Sequence, residues 1–442
     1  MKKIVWLLLL STTHLCEAQH VLPLRQQAAK ADSLLLDRFQ NLLPSLMKKH
    51  RMDMWVLVSR EYAEDPVMRT MLPATWLHAR RRTILVFYNG ANGLERLAVA
   101  RYDVGNLFKG VWKPEEQPAQ WQRLVEMVKE RKPGTIGINI SGTFAHADGL
   151  TKTESDSLFQ YLGSYNLASA EPLAVDWLQL RTAAELNVYE DMCVRTHNII
   201  KECFSSSVVK PGVTTTEDLV WWLRDKVQSL GLQTWFHPTV DVQRSAKGAG
   251  DTERSFASRP DEMIIQPGDL LHCDFGISYL GLHTDMQQLA YVLKQGEKEP
   301  PAYLKKALAT GNRLQDLLTK EFRGGRTGNQ VLRAAIAAAK AEGIQPSIYS
   351  HPIGYHGHAA GPAIGMWDMQ SGVPGSGDQV LLYNTCYAIE LNAKVSIKEW
   401  NKDIRVMLEE QGLFTADGVR YINGRQKELL LIGADAKNHL SQ

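Results

Sequence analysis

Residues 270–287 most constrain the fold of this chain, because they place two aspartates in apolar surroundings on either side of a turn signal. The run reads as two short alternating strands joined through Ser-Tyr-Leu-Gly, which predicts a β-hairpin. If the turn is centred between Tyr279 and Leu280, Asp274 faces Asp285 across the hairpin. Side chains alternate along a strand with period two, so both carboxylates share one face.

The opposite face of the hairpin is mostly apolar, which predicts that it packs on the core. Its residues are Leu271, Cys273, Phe275, Leu282, Thr284 and Met286. Like charges opposite each other destabilise a sheet, and burying unpaired carboxylates costs far more. We therefore expect a cation between the two aspartates. From this stretch alone, a surface hairpin with two solvated aspartates fits equally well.

Length and charge exclude few classes of protein. A chain of 442 residues is long enough for two or three domains, each with its own core. The formal net charge is +2, and no basic run stands out beyond Arg80, Arg81 and Arg82, which are typical of a solvated or salt-bridged edge. We therefore expect no nucleic-acid partner.

The amino terminus has the layout of a secretory signal peptide: two lysines, an apolar run over residues 4–10, and small residues before Ala18. This predicts a signal peptide over residues 1–18, cleaved after Ala18, and an exported protein, periplasmic or secreted. The apolar run is too short to span a bilayer, so we expect no membrane span. Lipoprotein anchoring at Cys16 is the alternative, although His14 and Leu15 fit it poorly.

Four cysteines remain after cleavage, and their spacing matches neither a zinc knuckle nor a redox motif. A chain of this size needs no disulfide framework, so we predict buried free thiols, although export leaves one bridge possible. The four are Cys193, Cys203, Cys273 and Cys386.

Helical and strand periodicity alternate through the first part of the chain, which predicts a three-layer α/β domain over residues 20–175. The predicted helices cover 23–49, 121–129 and 152–162, and the predicted strands cover 54–58, 83–88, 97–100 and 135–140.

A second domain is predicted over residues 180–442, where pairs with capping-box spacing start three helices. The pairs are Thr182 with Glu185, Thr214 with Glu217, and Thr327 with Gln330. Residues 235–240 read as a strand, and the polar loop over 243–260 is a candidate lid or pocket rim.

Chemistry-bearing residues concentrate downstream of the hairpin. His351, His356 and His358 lie within eight positions, among glycine and proline. Glu390 is a lone carboxylate in a strongly apolar strand, which is costly unless it is paired or coordinated, so we favour a metal ligand over a structural ion pair. Glu409 closes another apolar strand; alone, it would fit an exposed strand end.

These residues together resemble a known family. Two aspartates eleven apart, a histidine followed seven positions later by another, then Ile-Glu, then an apolar strand ending in Glu, are similar to peptidase family M24, the methionine aminopeptidase, aminopeptidase P, prolidase and creatinase superfamily. Residues 175–178 with Glu185, and 209–213 with Glu217, resemble its Xaa-Pro peptidase branch. The resemblance covers nearly the whole mature chain and implies an α+β pita-bread catalytic domain behind a creatinase-like N-terminal domain.

The resemblance also implies a site. The family's five metal ligands fall on Asp274, Asp285, His351, Glu390 and Glu409. It implies catalytic roles for two residues: Glu390 for proton transfer and His358 for the oxyanion. Four carboxylates and one imidazole suit two divalent ions, with Mn favoured and Co, Zn or Fe possible. A short peptide substrate and a homodimer are further implications.

This chain departs from the family around the metal ligands. No histidine lies between residues 238 and 271, where Xaa-Pro peptidases usually carry one, and Ser347 and Met407 stand where the family has His and Arg. These losses leave the ligands intact and put the substrate in question. Candidate pocket residues are His283, which the assumed register places opposite Gly276, and Tyr355, His356 and Trp367.

Three functions remain open at this stage. The leading hypothesis is an exported dinuclear metallopeptidase, an aminopeptidase or dipeptidase with Xaa-Pro-like preference. The second is a creatinase-fold binding protein without turnover, against which the complete ligand set argues. The third is a metallohydrolase that cleaves a non-peptide C–N bond.

Overall fold

The computed structural model describes residues 21–245 and 258–433. The predicted signal peptide and the centre of the predicted lid loop, residues 246–257, lie outside these ranges. The described chain has the predicted mixture of α and β structure, with an N-terminal α/β domain followed by a second domain. The second domain is named the catalytic domain below, because it carries the predicted site residues. Among the described residues, no helix is both long and apolar enough to cross a membrane.

The N-terminal domain contains a six-stranded sheet with strand order β4-β3-β2-β1-β5-β6. Its strands are β1 (Met54–Arg60), β2 (Arg82–Gly90), β3 (Gly93–Val99), β4 (Lys109–Gly110), β5 (Ile136–Ile138) and β6 (Leu167–Ser169). Its helices are α1 (Leu24–Asn41), α2 (Leu43–Lys49), α3 (Pro66–Arg69), α4 (Gln120–Arg131), α5 (Lys152–Leu162) and α6 (Glu171–Gln179).

Strand β1 shows why this domain has three layers. Its side chains alternate between two separate apolar clusters: Val56 packs with Leu124 of α4, and Trp55 packs with Phe39 of α1. Both faces of the sheet are therefore covered by helices, as the α/β alternation predicts. The sequence predicted one helix over residues 23–49, but the structure has two. Helix α1 ends before Leu42, and α2 begins after it with Pro44 in its first turn.

The catalytic domain is built on a nine-stranded sheet whose main strand order is β12-β14-β15-β11-β8-β7. β9 and β10 form a separate two-stranded sheet. The strands of this domain are β7 (Thr239–Gln243), β8 (Leu270–Phe275), β9 (Ser278–Tyr279), β10 (Leu282–His283), β11 (Met286–Val292), β12 (Gln345–Ile348), β13 (His351–Pro352), β14 (Thr385–Ile397), β15 (Lys402–Thr415), β16 (Gly418–Tyr421) and β17 (Leu430–Ile432). Its helices are α7 (Ala183–Cys203), α8 (Thr216–Ser229), α9 (Ala302–Lys320) and α10 (Gly328–Ala341).

Helix pairs cover the two faces of this sheet. Met192 of α7 and Leu223 of α8 pack in one cluster with Leu271 of β8, whereas α9 and α10 pack in a second cluster. The capping boxes predicted for α7 and α10 are present. The box predicted for α8 is shifted by one residue, since Thr215 with Asp218 forms it.

The hairpin prediction is right in its faces and wrong in its register. The turn lies at Leu280 and Gly281, which both have positive φ (53° and 82°), so Tyr279 pairs with Leu282. A tight hairpin turn needs positive φ at both central residues, and glycine adopts it readily, which moves the turn one residue onward. Asp274 consequently pairs with Gln287 and not with Asp285. His283 pairs with Ser278 and not with Gly276.

The residue that pairs with Asp274 is therefore two positions further along the chain than predicted. Both aspartates still lie on one face, because side chains alternate along a strand with period two. The opposite face of the hairpin is buried, as predicted: Phe275, Leu282 and Thr284 are each fully inaccessible to solvent. The strand predicted over residues 235–240 begins only at Thr239. The four cysteines of the described chain are buried and free.

A buried charged cluster joins the two domains. Arg38 of α1 and Arg181 both bind the carboxylate of Glu185, at 2.8 and 2.9 Å, and none of these three side chains is exposed. Tyr355, on the loop that carries His351 and His358, stacks on both guanidinium groups at 5.2 and 5.0 Å. The N-terminal domain is therefore held against the loop that carries two predicted site residues.

Candidate metal centre

Sheet pairing brings the five predicted ligands to one place. Glu390 on β14 lies directly opposite Glu409 on β15. His351 is on β13, which also pairs with β14, and Asp274 is on β8, next to β11. Asp285 directly precedes β11. These strands lie side by side in the order β13, β14, β15, β11 and β8, so residues far apart in sequence meet on one face of the sheet.

Ligand atoms from these residues form three overlapping groups, within each of which they lie no more than 4.8 Å apart. The groups are Asp274 with Asp285 and Glu409, His351 with Glu390 and Glu409, and Asp285 with His351 and His358. Nε2 of His351 lies 3.9 Å from Oδ2 of Asp285 and 3.8 Å from Oε1 of Glu409. These separations are too long for hydrogen bonds and leave room for an ion with bond lengths of about 2.0–2.2 Å.

Several polar atoms here are buried without a hydrogen-bond partner among the described residues. They include Oδ1 of Asp285, Nε2 of His351 and Oε1 of Glu409. Nδ1 of His351 lies 3.0 Å from the carbonyl oxygen of Pro352, to which it donates, so the lone pair of the ring is on Nε2. That lone pair points at the carboxylates, as a metal-ligating histidine requires.

Burial and mutual repulsion strongly perturb the acids. Burial and then the charge of Asp274 raise the pKa of Glu390 to about 8. Burial, followed by the charges of Asp274 and Glu390, raises the pKa of Asp285 well above its usual range. Burial and then the charge of Asp285 raise the pKa of Glu409, whereas burial lowers the pKa of His351 to about 3. Uncompensated acids beside a neutral imidazole form a site that a divalent cation would neutralise.

The donor set fits hard divalent ions, since it offers carboxylate oxygens and one imidazole nitrogen. Asp274, Asp285, His351, Glu390 and Glu409 would hold such ions.

Sequence analysis missed the side chains behind the ligands. The amide nitrogen of Gln287 donates to Glu390 at 2.9 Å and to Glu409 at 2.8 Å. The amide oxygen of Gln287 lies 2.9 Å from Nε2 of His272, whose Nδ1 is 3.3 Å from Asp241. Gln287 thereby occupies one oxygen of Glu409 and leaves the other facing His351. A polar residue in a buried strand was the only sequence signal for this arrangement.

His358 lies at the open side of the site. Its ring centroid is 4.8 Å from that of His351 and 5.2 Å from that of Trp235. The Trp235 indole donates to the carbonyl oxygen of Thr284 at 2.8 Å and packs on Gly357, where an added Cβ would lie 2.4 Å from the ring. Trp235, which sequence analysis assigned to a strand, therefore forms one wall beside the exposed His358 imidazole.

The candidate pocket residues have different positions. Nδ1 of His283 is 3.1 Å from the Gly354 carbonyl oxygen, and its ring is 6.0 Å from Trp235. Burial lowers the pKa of His283 to about 4. Tyr355 faces the charged cluster between the domains. Trp367 is 45% exposed and has no aromatic or hydrogen-bond contact with the metal residues among the described residues.

The fourth candidate, His356, contacts a residue that sequence analysis missed. Its ring centroid lies 4.6 Å from that of His146, which the N-terminal domain supplies. Nothing in the sequence around His146 marks it, because its neighbours come from the other domain.

Comparison with known proteins identifies the family. The sequence model described as "Metallopeptidase family M24" matches residues 188–421, more than half of the chain. The chain belongs to metallopeptidase family M24. It is a metallopeptidase by family, and its candidate ligand groups are those described above. No curated protein sequence matches it significantly.

Solved structures agree with this M24 fold. The X-Pro aminopeptidase from Thermotoga maritima MSB8 is 14% identical, with a TM-score of 0.63 over 88% of this chain and 99% of that one. The Xaa-Pro dipeptidase from Bacillus anthracis is 17% identical, with a TM-score of 0.57 over 92% of this chain and 100% of that one. The N-terminal domain of the FACT complex subunit SPT16 from chickpea is 13% identical, with a TM-score of 0.52 over 93% and 99%. Identities this low support the fold alone.

Proposed function

We propose that this M24 peptidase binds two divalent ions, Mn most readily, and hydrolyses the N-terminal peptide bond of short peptides with Xaa-Pro-like preference. The observation that supports the proposal best is the convergence of four carboxylates and the unpartnered Nε2 of His351 in one buried group. The printed activities of its structural neighbours, an X-Pro aminopeptidase and an Xaa-Pro dipeptidase, favour the substrate class.

Two divalent ions in such a site supply Lewis-acid polarisation of a carbonyl and a nucleophilic water at neutral pH. The chain itself supplies the proton carrier. One oxygen of Glu390 accepts the Gln287 amide, and its other oxygen is free to take a proton from the attacking water and pass it to the leaving nitrogen.

His358 provides the oxyanion donor in this proposal. Its imidazole stands at the edge of the ligand group, beside His351, where a substrate carbonyl would enter. Burial lowers the pKa of His358, so the ring is neutral and donates through one N–H. A donor aimed at charge that develops only in the transition state raises turnover more than it raises substrate binding.

The test combines metal analysis of purified protein with a panel of X-Pro and X-Ala dipeptides. We expect bound divalent metal, cleavage of X-Pro peptides, and loss of activity in Asp285→Ala and Glu390→Ala with the fold retained. Absence of bound metal, or metal without peptide cleavage, contradicts the proposal. Metal without cleavage favours a binding protein, or a hydrolase of a non-peptide C–N bond.

His358→Ala separates the oxyanion role from metal binding. We expect turnover to fall by about 10²–10³, as for the loss of one oxyanion donor, with metal content unchanged. Loss of metal in this variant would show that His358 is a ligand instead.

Export and dimerisation are further parts of the proposal. The basic start, the apolar run and the small residues before Ala18 support a cleaved signal peptide. Amino-terminal sequencing of the mature protein from its natural compartment should begin after Ala18. A homodimer rests on the family resemblance, and sedimentation analysis of the purified chain tests it.

A further inference from the structure

A cavity of about 460 Å³ opens on the N-terminal domain, and the twelve described residues that line it all belong to that domain. It lies where β1 ends and β2 begins, with the residues after β3 and the start of α4 on its other sides. Five of the lining residues are arginines, namely Arg60, Arg80, Arg81, Arg82 and Arg101. We name this site the arginine cavity. It is separate from the metal centre, whose ligands all lie in the catalytic domain.

Three of the arginines share two carboxylates. Arg60 and Arg82 lie opposite each other in the pairing of β1 with β2, and both bind the buried carboxylate of Glu154, at 3.2 and 2.7 Å. Arg101 pairs with Glu115. Like charges at directly opposed positions of two strands destabilise a sheet. One carboxylate therefore offsets the repulsion between two guanidinium groups, but it does not neutralise both.

Arg80 and Arg81 add positive charge to the cavity. Both side chains are exposed, and neither forms an ion pair within residues 21–245 and 258–433. The guanidinium carbon of Arg80 lies 4.7 Å from the centre of the Trp76 ring. Glu61, the acid among the lining residues, accepts the backbone N–H of Arg81 at 3.4 Å. Five arginines against the carboxylates of Glu61, Glu154 and Glu115 leave two positive charges in excess.

Aromatic rings form another wall of the arginine cavity. Tyr102 is 49% exposed, and Trp112 is half-buried with its indole donating to a backbone carbonyl oxygen at 2.9 Å. Neither ring contacts another ring or a guanidinium group in the described part of the chain. The amide of Gln120 donates to the carbonyl oxygens of Arg82 and Val99, at 3.0 and 2.6 Å, and so fixes the base of the cavity. A planar ring of a ligand can stack on such open aromatic faces.

We propose that the arginine cavity binds a small molecule that carries a doubly charged phosphate together with a planar ring, such as a nucleoside monophosphate or an aryl phosphate. The two excess charges match a phosphate monoester, whose charge at pH 7 is about −1.5 to −2. Guanidinium groups bind phosphate through two parallel N–H donors. Small-molecule sites have volumes of about 300–1,000 Å³, a range that includes this cavity. The inference does not depend on the proposed peptidase function.

Calorimetric titration of the purified full chain with four probes tests the proposal. The probes are adenosine monophosphate and phenyl phosphate, which have both ring and charge, adenosine, which has only the ring, and inorganic phosphate, which has only the charge. We expect at least one ring phosphate to bind about 10-fold or more tightly than both adenosine and inorganic phosphate. The tighter of the two ring phosphates shows whether a sugar separates ring and phosphate. If neither ring phosphate binds more tightly than inorganic phosphate, the proposal is overturned.

Arg81→Gln locates the binding. It should weaken the binding of ring phosphate and of inorganic phosphate by about 10- to 100-fold, as for the loss of a hydrogen bond to a charged group. The melting temperature should not change, because the side chain is exposed. Arg51→Gln is the matched control, since Arg51 is exposed in the same domain, lies outside the cavity and has nearly the same positive φ, 54° against 52°. Equal affinities in the two variants would place the binding elsewhere and overturn the proposal.

Tyr102→Ala separates the ring from the phosphate. It should weaken the binding of ring phosphate by about 5-fold or more, as for the loss of one stacking contact, and leave inorganic phosphate unaffected. Trp112→Ala carries the same expectation on the other exposed ring. If neither variant discriminates between ring phosphate and inorganic phosphate, the aromatic wall does not bind a ring, and the inferred ligand class is wrong.

Discussion

Two groups of buried charges in this chain differ in how they are compensated. In the cluster between the domains, Arg38 and Arg181 surround Glu185, and the pKa of Glu185 is lowered despite complete burial. In the metal centre, acids repel one another, and burial and that repulsion raise the pKa of Glu390 to about 8. The first cluster carries its counter-charges within the chain. In the second, Asp285, Glu390 and Glu409 have no lysine or arginine partner within residues 21–245 and 258–433.

This difference in compensation distinguishes buried charges that stabilise the fold from buried charges that bind a ligand. A buried ion pair that is satisfied internally needs no ligand and fixes the relative position of the two domains. Buried acids without cations destabilise the free protein and persist where a ligand compensates them. In these two clusters the carboxylate pKa shifts in opposite directions, that of Glu185 down and that of Glu390 up, because Glu185 has two guanidinium partners.

Removing the acid should have opposite effects in the two clusters. Glu185→Ala leaves two buried guanidinium groups without a counter-ion, so we expect the free energy of unfolding to fall by about 3–5 kcal/mol. In the metal-free protein, Glu409→Gln removes a repelled charge and should not destabilise. Denaturant unfolding measures both effects.

The control for that comparison is Asp156→Ala, which removes an exposed pair with Lys152 and should cost about 0.5 kcal/mol or less. If Glu185→Ala costs no more than this control, the cluster between the domains does not stabilise the fold as we infer.

The contrast also shows what the sequence could reveal. Glu390 stood out because a lone carboxylate interrupts an apolar strand, and the family resemblance then assigned the other ligands. Capping boxes at Thr182 and Thr327 were readable because they depend on residues three positions apart. At the start of α8 two overlapping pairs have capping-box spacing, Thr214 with Glu217 and Thr215 with Asp218. Thr215 forms the cap, because the hydroxyl of Thr214 is used by the backbone N–H of Lys210.

Features that depend on tertiary pairing were not readable. The hairpin register was wrong because it depends on which residues adopt positive φ, and Leu280 gives no sign that it does so. Gln287 and His146 make their contacts with partners on other strands or in the other domain. Glu185 was recognised as a helix cap, but its arginine partners could not be inferred from spacing.

Gln287→Leu tests whether the metal centre depends on the amide behind it. Losing the donor to Glu390 and Glu409 should weaken metal binding by about 10- to 100-fold, as for other side chains that orient metal ligands. Gln288→Leu is the matched control, since Gln288 is equally buried and donates to Glu410 on the other side of the strand. Calorimetric titration of the metal-free proteins with Mn²⁺ measures the affinities. Equal losses in both variants would assign the effect to general destabilisation.

The two clusters should also respond to pH with opposite signs. The pKa of Glu390 in the folded, metal-free protein is raised, so the stability linked to it is complete below about pH 4.5 and is lost as the pH rises through about 8. The pKa of Glu185 is lowered, so its contribution is present above its unfolded value and is lost at acid pH. One such group changes the free energy of unfolding by at most about 1.4 kcal/mol per pH unit. Asp65 of the N-terminal domain contributes with the same sign, because burial raises its pKa to about 6.

We therefore expect the stability of the metal-free protein, relative to that of Glu390→Gln, to fall from pH 5 to pH 8, measured by denaturant unfolding in the presence of a chelator. Adding Mn²⁺ should remove most of this slope, because the cation compensates the ionised acids. Glu390→Gln is the reference because it retains the buried histidines, whose lowered pKa values act with the opposite sign: burial lowers the pKa of His351 and His356 to about 3 and that of His283 to about 4. If the stability difference between the metal-free protein and Glu390→Gln stays constant from pH 5 to pH 8, the acids of the centre are already compensated, and the distinction between the two clusters fails.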